Sequence, residues 1–200
     1  MIELKELSFA RGERTIISGL TAQIAKGEAV LLTGPNGSGK TTTLQLIGGL
    51  LQPTSGQVLI NGQSVAKLTI KEQARLRSIA PARRTFSLAF TVEQVLQFVP
   101  KKHRALHTYW VAEKLGLGEL FDRRVTELST GQLERVSLAL ALSQAAEFYL
   151  LDEPFSAQDA FYTEKILEVI NELKKTKGLL VISHNQETLA KHFDREITLD

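Results

Sequence analysis

Residues 34–42 read Gly-Pro-Asn-Gly-Ser-Gly-Lys-Thr-Thr, and this run limits the possible folds of the chain more than any other segment. It matches the pattern G-x-x-x-x-G-K-[ST], a glycine-rich loop that joins a strand to a helix and binds phosphate. The apolar residues Ala29–Leu32 precede the loop and predict a buried strand. Apolar residues at helical spacing follow it and predict a helix from Lys40 to about Leu51. The segment therefore predicts an α/β fold that binds a nucleoside triphosphate at a helix N-terminus.

The residue types in this loop suit phosphate chemistry. Glycine lets the backbone approach phosphate oxygens without a Cβ in the way, and successive N–H groups form a nest for an anion. Lys40 places a positive charge between the β- and γ-phosphates, and the hydroxyl of Thr41 is a ligand for Mg²⁺. A turn that only caps a helix is the alternative, but it needs neither Lys nor Thr at those positions. The predicted nucleotide contacts of the loop are Gly34, Pro35, Asn36, Gly37, Ser38, Gly39, Lys40, Thr41 and Thr42.

The composition is that of a soluble globular protein, and it excludes several classes of site. The 200 residues suit one domain with room for a subdomain. The formal net charge of +2 gives no general electrostatic reason to expect a nucleic-acid partner. The chain contains no cysteine, which excludes disulfides and thiolate metal sites. The charged N-terminus does not resemble a secretory signal, and no apolar run reaches the roughly 20 residues that a membrane helix needs.

Two carboxylates directly follow a second apolar run. Asp152 and Glu153 come after Phe148–Leu151, which predicts another buried strand. Carboxylates at the end of a buried strand are costly unless they meet a metal ion or a proton. Asp152 is the natural partner of Mg²⁺, and Glu153 is placed to polarise an attacking water. An acidic turn after a core strand is the alternative, which the phosphate loop disfavours.

His184 follows a third apolar run, Leu179–Ser183. It therefore lies at the carboxyl end of a predicted strand, where open α/β sheets bind their ligands. A lone histidine is usually structural, but this position favours a role in sensing the γ-phosphate.

Ser129 and Gly131 open a predicted long helix. Ser129 is a suitable N-cap, and Gly131 permits the close approach of another backbone. Such a helix N-terminus can receive the γ-phosphate of a nucleotide that another subunit holds. A simple capped helix has the same local pattern and is the alternative.

The remaining elements predict an α/β core interrupted by a mostly helical stretch from about Val65 to Ala145. Further strands are predicted at Ile2–Phe9, within Thr15–Ile24, at Gln57–Ile60 and at Gly178–Ser183. Further helices are predicted at Ile70–Arg77, Val92–Phe98, Thr108–Leu115, Gln132–Leu142 and Phe161–Lys174.

In this order, these segments resemble the motifs of the ATP-binding subunits of ABC transporters. Gly34–Thr42 matches the Walker A loop, and Phe148–Pro154 matches Walker B with its catalytic glutamate. Leu128–Gln132 resembles the LSGGQ signature, Ser156–Asp159 the D-loop and His184 the switch histidine. The resemblance covers nearly the whole chain, and a signature beside both Walker motifs is highly specific.

The resemblance implies a P-loop NTPase core of ABC type with an N-terminal antiparallel β-subdomain and an inserted helical subdomain. Within this single domain, the β-subdomain and nucleotide core occupy about residues 1–64 and 146–200, and the helical subdomain about residues 65–145. It also implies two such domains packed head to tail, with ATP and Mg²⁺ between Walker A of one and the signature of the other. The implied contacts in trans are Ser129, Thr130, Gly131 and Gln132. In the same chain, Thr41 and Asp152 hold Mg²⁺, Glu153 acts on the water and His184 positions the γ-phosphate.

Three positions depart from the family's pattern. Ala82 stands where the family has a glutamine that helps to hold Mg²⁺ and water and links them to the membrane subunit, so we expect altered coupling or rate unless a neighbour substitutes. Thr130 replaces the first glycine of the signature and brings a side chain near the phosphate. Arg11, with Phe9 close by, stands where an aromatic ring stacks on adenine, although a guanidinium can also stack on a base.

The resemblance implies an ATPase that lies on the cytoplasmic face of the membrane and powers a transporter. It also implies an integral-membrane permease as the partner of this subunit. Lys71–Arg75 and Phe90–Val95 are similar to the subgroup that imports iron chelates and cobalamin, and also to general importers and small exporters. Two alternatives stay open: a nucleotide-gated regulatory or interaction ATPase without cargo, and a weakly active half of a heterodimer. The basic pair Arg83–Arg84 is interpreted either as a solvated face or as a contact with a membrane partner or acidic lipid headgroups.

Overall fold

The computed structural model describes residues 1–82, 85, 86, 88–184 and 186–199, so the predicted contact at Arg83–Arg84 lies outside the described residues. Its strands are β1 (Ile2–Arg11), β2 (Arg14–Ile24), β3 (Ala29–Thr33), β4 (Ser55–Ile60), β5 (Gln63–Ser64), β6 (Arg77–Ala80), β7 (Phe148–Asp152), β8 (Gly178–Ile182) and β9 (Arg195–Thr198). Its helices are α1 (Lys40–Ile47), α2 (Ile70–Leu76), α3 (Val92–Leu96), α4 (Thr108–Lys114), α5 (Thr130–Leu142), α6 (Ala160–Leu173) and α7 (Gln186–Leu189). Among these residues, no helix combines the length and the apolar character needed to cross a membrane.

A parallel sheet lies at the centre of the fold and is covered on both faces. In the described part of the chain it has five strands in the order β6-β7-β8-β3-β9. Strands β3, β7 and β8 are buried along their whole length, as expected when helices or a second sheet cover both faces. Because successive side chains point to opposite faces, Tyr149 and Leu151 pack with α3 to α6, whereas Phe148 and Leu150 pack with α1 and strands β1 and β2.

An antiparallel sheet near the N-terminus covers α1 from the other side. Its described strands follow the order β2-β1-β4-β5. Strands β1 and β2 form a hairpin in which Arg11 is paired with Arg14, and Gly12 turns the chain with a φ of 63°. The tip of this hairpin lies beside the phosphate loop, because Arg11 and Arg14 line the same cleft as Asn36 and Lys40.

The element boundaries differ from the sequence predictions at several points. Strand β6 begins at Arg77, directly after α2, within the stretch that was expected to be mostly helical, and it pairs in parallel with β7. Strand β9 is also absent from the predicted elements, because an exposed edge strand with alternating polar residues has no apolar run. Helix α1 ends at Ile47 rather than near Leu51, because Gly49 takes a left-handed φ of 65°. The division of the chain at about residues 64 and 145 stays a prediction.

A half-buried histidine, His107, contacts both helix α5 and strand β7 and makes stability depend on pH. The imidazole N–H of His107 donates to the carbonyl of Leu142 over 3.0 Å, and its ring packs edge-on to Tyr149. Burial lowers the pKa of His107 and the charge of Lys177 adds to this, while the bond to Leu142 opposes it. Burial also raises the pKa of Tyr149 to about 12, so this phenol stays neutral.

We expect the free energy of unfolding to fall as the pH drops below about 6.5, the pKa of histidine in an unfolded chain. In this window the unfolded state takes up a proton that folded His107, with its lowered pKa, does not. Urea denaturation at pH 7.5 and pH 5.5 measures the effect, which should shrink in His107→Gln. The matched variant His103→Gln should keep the wild-type pH dependence, and equal behaviour of the two variants would contradict the assignment.

Candidate nucleotide-binding site

Three polar segments meet at one edge of the parallel sheet because β3, β7 and β8 are neighbours that run in the same direction. Leu32 pairs with Ile182, and Ile182 pairs with Asp152, so the three strands end at the same level. The phosphate loop, the two carboxylates and the histidine therefore border one cleft of about 560 Å³. Its lining residues are Arg11, Arg14, Ile16, Asn36, Gly37, Gly39, Lys40, Thr41, Thr42, Ala82, Asp152, Glu153, Ile182 and His184. Gly34, Pro35 and Ser38 complete the loop between β3 and α1.

The phosphate loop can keep its shape only with glycine at two positions. Gly39 is the N-cap of α1 and has a left-handed φ of 97°. Gly34 has a φ of 139°, and a Cβ added there would lie 2.3 Å from the carbonyl oxygen of Leu199. The first N–H groups of α1 have no partner within the helix, so they are available to an anion in the cleft.

Lys40 is buried in the loop, and its charge is satisfied by the loop itself. The ammonium donates to the carbonyl of Gly34 over 2.7 Å and to that of Pro35 over 2.9 Å, and the residue is 6% exposed. These bonds hold the positive charge at the cleft wall. A phosphate bound in the nest would therefore lie beside the ammonium of Lys40, which the loop already holds in position.

Thr41 and Asp152 bring two hard oxygen donors together. The hydroxyl of Thr41 lies 3.4 Å from Oδ1 of Asp152, which is 5% exposed. Burial raises the pKa of Asp152, while the Thr41 hydroxyl and the charges of His184 and Lys40 oppose this rise. In the described residues no three His, Cys, Asp or Glu side chains cluster as metal ligands. The pair nevertheless fits Mg²⁺, which typically takes one or two carboxylates and completes its shell with phosphate oxygens and water.

Glu153 faces His184 across the end of the sheet. Its Oε1 lies 3.0 Å from Nε2 of His184. Burial raises the pKa of Glu153, whereas the charge and backbone N–H of His184 oppose the rise and the charge of Asp152 adds to it. Glu153 also has a left-handed φ of 53°, a conformation that costs a non-glycine residue about 1 to 2 kcal/mol. A strained, half-buried carboxylate beside a polar partner is typical of functional sites.

The β1–β2 hairpin forms one end of the cleft, where the family's pattern places an aromatic ring. The described lining residues at this end include no aromatic side chain. Arg11 lines the cleft, and so does Ala82, the residue in place of the expected glutamine. Phe9 does not share this position, because it packs against the core cluster around α1 and is paired with Ile17 on the neighbouring strand. Arg14, two residues before Ile16, is the additional lining residue at this end.

The predicted signature segment does not line the cleft of its own chain. Ser129 is the N-cap of α5, and its hydroxyl and the side chain of Gln132 form a reciprocal capping box, as the sequence predicted for the cap. Helix α5 begins at Thr130, two residues earlier than predicted, and Ser129 and Thr130 are exposed. The structure therefore places this helix N-terminus on the surface, apart from the phosphate loop.

None of the sequence motifs predicts the contacts that connect helix α5 to the segment after Glu153. The amide of Gln158 donates to the carbonyl of Gly131 over 3.2 Å, and Arg135 donates to Oε1 of Gln158 over 3.1 Å. The guanidinium of Arg135 also stacks at 3.5 Å from the ring centroid of Tyr162. An arginine beside the apolar run of α5 was the available signal, since a buried cation requires partners.

Comparisons with known proteins agree with this geometry. The family model described as ABC transporter matches residues 17–156. The zinc transport system ATP-binding protein TroB of Treponema pallidum (strain Nichols) is 32% identical over 212 residues, covering 100% of this chain and 78% of that protein. The iron(3+)-hydroxamate import ATP-binding protein FhuC of Bacillus subtilis (strain 168) is 29% identical over 202 residues, covering 95% and 75%.

A solved structure extends the comparison to the fold. The dimeric post-hydrolysis state of the ATP-binding cassette MJ0796, bound to ADP and Pi, superimposes with a TM-score of 0.86 at 26% identity and covers 100% of this chain and 94% of that one. The predicted fold class, a P-loop core with an antiparallel sheet and helices, is thus confirmed. With its family model, its relatives and its nucleotide cleft, this chain belongs to the ABC transporter family and is an ABC-type ATPase.

Proposed function

We propose that this chain binds Mg²⁺-ATP in the cleft and hydrolyses it as one of two ATP-binding subunits that drive a membrane transporter. The observation that carries the proposal is the common level at which β3, β7 and β8 end. Because the strands end together, one cleft is lined by the residues needed for phosphate binding, metal binding and water activation: Lys40, Thr41, Asp152, Glu153 and His184.

The phosphates of ATP bind on the loop between β3 and α1. The N–H groups of the loop and of the first turn of α1 hold the phosphate oxygens, and Lys40 exchanges its bonds with Gly34 and Pro35 for the β- and γ-phosphates. Thr41 and Asp152 would hold Mg²⁺, which when bound neutralises charge on the phosphate oxygens.

Glu153 is the group that receives a proton from the attacking water. Its raised pKa favours proton transfer near neutral pH, and the 3.0 Å contact with His184 orients the carboxylate. His184 is half exposed at the cleft, with 52% of its side chain accessible, and can therefore contact the γ-phosphate as well.

A second cassette completes the site. The exposed N-terminus of α5, with Ser129, Thr130, Gly131 and Gln132, is placed to bind the γ-phosphate of ATP held by the partner subunit. The hydroxyl of Thr130 adds a donor to the helix N-terminus in this arrangement. A chain that dimerises head to tail in this way excludes water from both nucleotides.

Replacing Thr41 with valine should remove a metal ligand while it preserves the shape of the side chain. We expect the gain in ATP affinity that Mg²⁺ provides to fall by about tenfold or more. Titration with a fluorescent ATP analogue, with Mg²⁺ or with EDTA, measures this gain. Thr176→Val, on an exposed turn remote from the cleft, is the matched control. An unchanged Mg²⁺ effect in Thr41→Val would contradict the metal assignment.

The cargo of the transporter is inferred from the relatives rather than from the cleft. TroB is named for zinc transport and FhuC for iron-hydroxamate import. We therefore propose uptake of a metal ion or a metal chelate, through an integral-membrane permease to which this subunit binds on the cytoplasmic face. To test this cargo, the accumulation of radioactive zinc or of an iron chelate is compared between cells that contain the chain and cells that lack it.

Hydrolysis of ATP at increasing concentrations of the purified protein tests the ATPase part. A rate that rises more than linearly indicates a homodimer that needs no partner for catalysis. ATP binding without turnover would favour the weakly active half of a heterodimer or a nucleotide-gated regulatory subunit. Ala82 in the cleft lining supports that second candidate, because an alanine cannot hold water or Mg²⁺. A chain that binds no ATP would contradict both.

A further inference from the structure

The tip of the β1–β2 hairpin carries two arginines at the mouth of the nucleotide cleft. Arg11 and Arg14 are cross-strand partners on either side of the turn at Gly12. Both are exposed, and both line the cleft. In the part of the chain that the structure describes, neither guanidinium forms a hydrogen bond or an ion pair within the protein. Their donors are therefore free for a ligand.

The hairpin is held at a definite place beside the phosphate loop. A Cβ added to Gly39 would lie 3.2 Å from Cγ2 of Ile16 and 3.1 Å from Cγ1 of Ile17, so the strand is in close contact with the loop. Ile17 is buried in the core and anchors the strand. Because alternate side chains of a strand share one face, Arg14 and Ile16 both point to the cleft. A nucleotide with its phosphates on the loop therefore extends its base toward Ile16 and the two arginines.

The described residues at this end of the cleft offer hydrogen-bond donors and not an aromatic ring. Among the described residues that line the cleft, none is Phe, Tyr or Trp. A guanidinium carries five N–H donors and no acceptor. Guanine presents two adjacent acceptors, O6 and N7, which match this fork, whereas adenine presents the N7 acceptor beside the N6 amino donor. A donor-only site therefore pairs with both acceptors of guanine and with only one of adenine.

We propose that Arg11 and Arg14 bind the O6 and N7 edge of a purine, and that GTP is a substrate of this cleft at least as good as ATP. The inference rests on the proposed function, since it requires the phosphates to lie on the loop at Lys40. It specifies which nucleotides the site accepts.

Steady-state hydrolysis of ATP, GTP and ITP by the purified protein tests the inference. We expect kcat/KM for GTP to be at least equal to that for ATP, and the full discrimination of one bidentate arginine pair would raise it by about 5- to 150-fold. ITP has O6 and N7 but lacks the 2-amino group, so it should behave like GTP. The variant Arg11→Lys keeps the charge without the fork and should lower the GTP to ATP ratio. Arg14→Lys should do the same, while Arg123→Lys, exposed and remote from the cleft, should not.

The outcomes separate the two proposals. ATP turnover with a kcat/KM for GTP clearly below that for ATP would overturn the inference and leave the proposed function intact. An ITP rate far below that of GTP, or a GTP to ATP ratio unchanged in both Arg11→Lys and Arg14→Lys, would overturn the assignment to the O6 and N7 edge. Failure to bind any of the three nucleotides would overturn the proposed function and the inference with it.

Discussion

Replacing Glu153 with glutamine is expected to lower the rate of ATP hydrolysis by about 10²- to 10⁴-fold, the range typical for loss of a general base. The amide keeps the size of the side chain and can remain beside His184, but it cannot accept the proton of the attacking water. ATP binding should therefore persist, and the closed dimer should accumulate. Phosphate release and size-exclusion chromatography with Mg²⁺-ATP measure the two effects.

The matched control is Glu164→Gln on the exposed side of α6, which should hydrolyse ATP at the wild-type rate. A Glu153→Gln protein that hydrolyses ATP as fast as the wild type would contradict the assignment of Glu153 as the general base. A variant that loses ATP binding as well as turnover would instead identify Glu153 as a structural residue of the cleft.

Replacing Lys40 with alanine is expected to weaken ATP binding by about 10- to 100-fold, as loss of hydrogen bonds to a charged group predicts. Removal of the ammonium takes the cation from the β- and γ-phosphates. It also leaves the carbonyls of Gly34 and Pro35 without their 2.7 Å and 2.9 Å partners. Equilibrium binding of a fluorescent ATP analogue gives the affinity directly.

A thermal denaturation curve distinguishes the two consequences of Lys40→Ala. If the midpoint stays close to that of the wild type, the affinity is lower because the contact between Lys40 and the phosphates is lost, and not because the loop has collapsed. Lys67→Ala, an exposed lysine outside the cleft, is the control and should bind ATP normally. Unchanged affinity in Lys40→Ala would mean that the phosphates do not lie on this loop.

The elements that could be predicted are those with a strong local pattern. The buried strands around Leu31, Leu150 and Leu180 were recognised from continuous apolar runs, and the structure has each of them. The cap at Ser129 could be predicted because serine is a common N-cap. Its partner in the capping box, Gln132, lies only three residues away, so no distant contact is needed. Strand β6 was missed because four residues directly after a helix give too short a pattern. Strand β9 was missed because its pairing with β3 comes from residues far away in the sequence.

By itself the sequence determined the phosphate loop, the carboxylates after β7 and the histidine after β8, since each is a short motif attached to its own strand. Only the tertiary structure decided that β7 and β8 lie beside β3, so that the three motifs share one cleft. It also decided that Arg14 faces this cleft and that Phe9 does not. The reason is physical: the order and register of strands depend on contacts between distant residues, and a shift of one residue would turn each side chain to the other face.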